Sequence, residues 1–104
     1  MYSVVLATAP GRETALALAR SLVDRRLAAC VNLLPATSVY RWEGKVLEED
    51  EVVMVIKTRR THVDDIRDLF DAEHPYQVPE LIALEVEDGS AHYLRWLRDE
   101  TGGQ

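Results

Sequence analysis

The hydrophobic positions of this 104-residue chain change period several times. Residues 2–9, Tyr-Ser-Val-Val-Leu-Ala-Thr-Ala, are apolar on both alternating faces, which predicts a strand covered on both sides. Pro10-Gly11 ends it. From Glu13 the spacing turns helical, with Ala15, Leu18/Ala19, Leu22 and Leu27 on one stripe. Glu13 stands near the start of this helix and Arg20, Arg25 and Arg26 toward its end, as the helix dipole favours. Residues 28–43 alternate again, with Ala29, Val31 and Leu33 on one parity, and Pro35 predicts a bend or bulge in that strand. Glu43-Gly44 is a hairpin turn, and residues 45–58 return as a strand that closes on Val52-Val53-Met54-Val55-Ile56-Lys57-Thr58.

Thr61-His62-Val63-Asp64 has the form of a capping box, and Val63, Ile66, Leu69 and Phe70 make the apolar stripe of a second helix. Leu81 to Val86 is the next strand. Asp88-Gly89-Ser90 turns the chain, Ser90 caps a short final helix carrying Tyr93, Leu94, Trp96 and Leu97, and the Gly102-Gly103-Gln104 tail frays. The order β-α-β-β-α-β-α describes an α+β fold, and its first six elements match the ferredoxin-like βαββαβ plan. That plan is a four-stranded antiparallel sheet with two helices on one face, here followed by a short C-terminal helix. The length predicts one domain over residues 1–104. The plan hosts many functions, so fold alone assigns none.

The hairpin of residues 28–58 is long for such a domain. Each arm of roughly 14 residues is about 46 Å if straight, at about 3.3 Å per residue. A globule of this size is only about 33 Å across. Val39, Tyr40, Trp42, Val46 and Leu47 therefore sit toward a protruding end, with an aromatic patch and an open sheet edge. This predicts packing on a second copy of the chain, or a tip that folds back on its own sheet.

Composition narrows the function classes. A net charge of -6 argues against nucleic acid as a partner. Ten of the twelve basic residues are arginines; the two lysines are Lys45 and Lys57. One cysteine, Cys30, rules out an internal disulfide. Nothing resembles a signal peptide, and no apolar run reaches the roughly 18 residues of a membrane span, so the expectation is a cytoplasmic protein with no membrane partner.

The most distinctive segment is His74-Pro75-Tyr76-Gln77-Val78-Pro79-Glu80. Two prolines four apart exclude a helix interior or a central strand, so these residues form a rigid polar joint or a site. Together with Leu27-Ala28-Ala29-Cys30-Val31-Asn32, Tyr40-Arg41-Trp42-Glu43-Gly44, Lys57-Thr58 and Tyr93-Leu94-Arg95-Trp96-Leu97, the segment resembles the CutA divalent-cation-tolerance family in order from about residue 4 to residue 98. The resemblance implies a ferredoxin-like subunit, a homotrimer similar to PII-type signalling trimers, a cytoplasmic location, and a part in tolerance of copper and other divalent cations. No catalytic reaction is attached to the family, so the resemblance implies a protein that is not an enzyme. Some members carry a cysteine in the first strand and a second histidine before His-Pro-Tyr, proposed as copper ligands with the later glutamate. Here those positions are Ala7 and Glu73, and of that set only Glu80 keeps its identity.

The candidate chemistry has alternatives at each point. His74 and Glu80 are candidate ligands for Cu(II) or another divalent cation held weakly; structurally, His74 caps its helix or bonds backbone while Glu80 ties down the strand entry. Cys30 is a candidate Cu(I) ligand or a small buried hydrophobe. Glu48-Glu49-Asp50-Glu51 attracts divalent ions weakly or is a solvated run that discourages edge pairing. Tyr40, Trp42, Lys57 and Tyr76 line a cleft between subunits, where Lys57 meets a small anionic ligand as in a PII-like module, or they simply pack an interface. No phosphate-cradling glycine loop, Cys-x-x-Cys or His-Glu-x-x-His occurs, and no organic cofactor is expected.

Overall fold

The computed structural model describes residues 1–102; the Gly103-Gln104 part of the tail expected to fray lies outside the described residues. The elements are β1 (Tyr2–Ala9), α1 (Arg12–Asp24), β2 (Cys30–Trp42), β3 (Lys45–Arg59), a single 3-10 turn (Arg60–His62), α2 (Val63–Glu73), β4 (Ile82–Glu85) and α3 (Ala91–Glu100). The four strands form one sheet in the order β2-β3-β1-β4, every neighbouring pair antiparallel. This is the ferredoxin-like plan read from the sequence.

The core lies between one sheet face and helices α1 and α2. Val5, Ala7 and Ala9 of β1 and Met54 and Ile56 of β3 meet Ala15, Leu18 and Leu22 of α1 and Val63, Ile66, Leu69 and Phe70 of α2. The helical stripes follow the expected spacing, except that α1 stops at Asp24. Arg26 takes φ 59°, which turns the chain out of the helix and sends Leu27 to the core margin. The capping box at Thr61 does not form: a 3-10 turn leads into α2 and no side chain caps it. Ser90 does cap α3, its Oγ accepting from the Tyr93 N–H at 3.4 Å.

β2 runs through Pro35 without the expected bend or bulge; Pro35 pairs in register with Val52, and pairing continues to Trp42↔Lys45. The reason is its place in the sheet. β2 is an edge strand, so its N–H groups on the outer side have no ladder partner for proline to remove. The hairpin is therefore straight and long, and the molecule measures 46 × 26 × 21 Å. Its turn is the two-residue Glu43-Gly44, with φ of 50° and 79°, the doubly positive geometry that matches strand twist. β1 ends at Ala9 opposite Val52, so the hairpin outward of Glu51 loses its neighbour on the β3 side.

Candidate functional site

The proline-flanked segment begins where α2 stops. His74 is the C-cap residue: its N–H donates to the Phe70 carbonyl at 2.9 Å while its own backbone is already extended, at ψ 136°. A residue preceding proline is pushed out of the helical region, so Pro75 explains the stop. The imidazole turns inward and is buried. Its Nε2 donates to the Thr8 carbonyl at 2.7 Å, and its Nδ1 accepts from the Tyr76 N–H at 3.1 Å. One nitrogen donating and one accepting defines a neutral ring with its proton on Nε2. The ring also packs between Phe70 and Tyr76, with centroids 5.3 and 4.8 Å away. His74 thus has both nitrogens committed, which favours the structural reading of this residue over the ligand reading.

Tyr76 occupies the space where β1 has ended. Its hydroxyl donates to Glu51 Oε2 at 2.6 Å. One strand over, the Tyr40 hydroxyl donates to Glu49 Oε1. Tyr40 pairs with Leu47 in the register, so Glu49 is its diagonal neighbour on the same face. Both phenols are pushed up in pKa. For Tyr76 burial is the leading cause, followed by its bond to Glu51. For Tyr40 the bond to Glu49 leads, and the phenol reaches about 12. The acidic run is therefore not simply a solvated face: Glu49 and Glu51 are acceptors for two phenols, a role visible in the run's alternation only once its strand register is known.

These residues border a cleft of about 750 Å³. Tyr40, Trp42 and Tyr76 supply rings, Glu51 and Glu80 supply carboxylates, and Pro75 to Pro79 form one wall. Three of the four residues expected in the cleft are thus together. Lys57 is not among them. It pairs with Cys30 across β2 and β3, about 20 Å up the strand from Glu51 at about 3.3 Å per residue, where its ammonium donates to Asn32 Oδ1. Cys30 is half-exposed rather than buried, its thiol 3.9 Å from Asn32 Oδ1, and it lies beside Tyr93 of α3. Burial foremost, then the neighbouring Cys30, raises the Tyr93 phenol. The candidate metal residues therefore separate within the chain: Cys30 at the hairpin base, His74 inside, Glu80 exposed at the cleft. Among the described residues no group of three or more His, Cys, Asp or Glu side chains converges to hold a metal ion.

A second surface stands out. Along β1, β2, β3 and β4 the positions alternating with the core place Val4, Leu6, Leu34, Val53, Val55, Ile82 and Leu84 on the sheet face away from α1 and α2. Leu34, Ile82 and Leu84 are 48–51% exposed, and Tyr93 and Trp96 of α3 are exposed beside them. No helix among the described residues is long and apolar enough to cross a membrane.

Comparison with known proteins gives a match to the CutA1 divalent ion tolerance protein family over residues 3–100. The chain is 46% identical over 103 residues to the divalent-cation tolerance protein CutA of Thermus thermophilus, covering 98% of this chain and all of that one. It is 46% identical over 99 residues to a chloroplastic Protein CutA of Arabidopsis thaliana, covering 94% of this chain and 54% of that protein. The structure of a periplasmic divalent cation tolerance protein CutA from Archaeoglobus fulgidus superposes with a TM-score of 0.95 at 36% identity, covering 97% and 99% of the two chains.

Proposed function

Since this chain belongs to the CutA1 divalent ion tolerance protein family, we propose that it serves tolerance of divalent cations, copper included, by weak binding or sensing in the cytoplasm and without a catalytic step. The family match over nearly the whole chain carries this reading. The geometry distributes the roles. Glu80 is the exposed carboxylate available to a hard or borderline cation, and Cys30 is a soft ligand at the opposite end of the hairpin. His74 must first release Thr8 or Tyr76 to bind metal, so its role in this reading is to hold the segment that presents Glu80.

The working unit in this proposal is a homotrimer. The bare apolar sheet face and the unpaired outer edge of β3 support association, because both expose surface that water disfavours. Titration of Cu(II) by calorimetry tests the metal step: saturable binding with a Kd below about 100 μM, weakened in Glu80→Ala, is expected. An absence of saturation, or an affinity in Glu80→Ala and Cys30→Ser unchanged from that of the parent, removes direct metal binding by these residues. Sedimentation at micromolar concentration tests the assembly, and a monomer mass overturns it.

A second reading, a PII-like module that binds a small ligand between subunits, is favoured by the cleft beside Tyr40, Trp42 and Tyr76. Its anionic version needs Lys57 of another subunit, since the lysine of the same subunit lies far from the cleft. A metabolite thermal-shift screen tests it, because a ligand at 100 times its Kd adds about 2.7 kcal/mol of stability.

A further inference from the structure

We propose that the cleft takes a small organic cation, an amine, guanidinium or quaternary ammonium on a short aliphatic body. The inference rests on the cleft of the second reading above and reverses the charge of its ligand.

Three observations carry it. The first is the sign of the lining: Glu51 and Glu80 face the cleft, and among the described residues no lysine, arginine or histidine lines it. An anion there meets two carboxylates with no counter-charge within the subunit, whereas a cation meets attraction from both. The second is the kind of surface. Trp42, Tyr40 and Tyr76 present aromatic rings, and Trp42 and Tyr40 remain more than a third exposed. Ring faces attract cations through their quadrupole, most strongly weakly hydrated ones on organic groups. The third is size. About 750 Å³ falls among small-molecule sites and far exceeds a single bare ion. No cluster of three metal-ligating side chains among the described residues closes around such an ion.

The phenol contacts organise these groups for that role. Tyr76 and Tyr40 donate their hydroxyl protons to Glu51 and Glu49, which fixes the rings and the carboxylates relative to one another. Glu51 uses Oε2 for Tyr76, leaving Oε1 for a ligand N–H. Pro75 and Pro79 stiffen the wall opposite, so little ordering is needed on binding.

The probes are choline, agmatine and 3,3-dimethylbutan-1-ol, the neutral isostere of choline. Binding to the intact assembly is followed by fluorescence in a Trp96→Phe background, so that Trp42 alone reports. Saturable quenching by choline or agmatine is expected, with the alcohol at least tenfold weaker and Glu51→Gln weakening the cation tenfold or more; Trp42→Leu, which removes the reporter, is followed by calorimetry and is expected to weaken the cation likewise. Glu51→Gln retains an acceptor for Tyr76, and unchanged circular dichroism and sedimentation of each variant keep folding out of the comparison. Equal affinity for choline and the alcohol, or no saturation by either cation, overturns the proposal. A Glu51→Gln variant that loses its assembly also overturns it, because the cleft then holds a basic side chain of a second copy. Anionic metabolites that bind where the cations do not refute the charge assignment and leave the cleft reading standing. Copper binding without cation binding refutes this inference and leaves the metal reading intact.

Discussion

The Tyr76 hydroxyl donates to Glu51 at 2.6 Å and so fastens the segment after α2 to the hairpin beyond the end of β1. Hydrogen bonds to charged groups contribute about 1.5–3 kcal/mol when protected, less where water competes, as at this half-exposed pair. Tyr76→Phe keeps the ring against His74 and is expected to cost about 1 kcal/mol, a fall of roughly 4–8 °C in Tm for a domain of this size. Calorimetric scanning checks it; an unchanged Tm means the bond contributes nothing.

The same phenols predict an alkaline weakness. Tyr40 ionises at 10.0 when unperturbed and at about 12 in the fold, and Tyr76 is raised as well. A raised folded pKa means the native state holds its proton longer than the unfolded chain. The stability this provides is complete below pH 10 and drains as pH climbs through the folded value. The Tyr40→Phe/Tyr76→Phe protein should lose less stability between pH 10 and 12 than the parent in urea titrations. Parallel losses in the two proteins contradict the assignment.

His74→Ala leaves the Thr8 carbonyl unpaired and empties the space between Phe70 and Tyr76. A buried unsatisfied acceptor costs about 1–3 kcal/mol and the lost packing adds to it, so about 2–4 kcal/mol is expected. The urea midpoint measures this. A cost under about 0.5 kcal/mol, the scale of ordinary surface changes, points away from a structural joint.

At the hairpin turn, Glu43 holds φ 50° although glutamate disfavours that region, while Gly44 at φ 79° suits it. Asn-Gly is the preferred pair for this geometry. Glu43→Asn should raise stability by about 0.5 kcal/mol and Gly44→Ala should lower it by about 1 kcal/mol. Thermal unfolding of the pair settles the sign, and a destabilised Glu43→Asn speaks against the turn type.

Leu34→Glu/Leu84→Glu places carboxylates on the bare sheet face and leaves the core untouched. The mass of the proposed trimer should drop to one subunit at micromolar concentration with the far-ultraviolet spectrum retained. An unchanged mass locates association elsewhere, on the hairpin edge.

Periodicity in the sequence determined the elements, the helical stripes and the length of the hairpin, because each follows from local spacing and local backbone chemistry. Val63, Ile66, Leu69 and Phe70 face the core as their spacing requires, and Ser90 caps α3 because a cap needs only its own turn. What depends on neighbours distant in sequence was decided by the tertiary structure. Pro35 bends nothing, because β2 became an edge. His74 is committed by the Thr8 carbonyl, 66 residues away. Lys57 leaves the aromatic cleft, because the register with Cys30 fixes its distance along β3. Glu49 and Glu51 turn from a charge run into phenol acceptors: the β2–β3 register sets Glu49 diagonally across from Tyr40, and Glu51 meets Tyr76 because β1 ends at Ala9 and Tyr76 fills the gap beyond it. A strand's own residues specify its period; its partners, edges and ends belong to the sheet, and those placed the groups of this site.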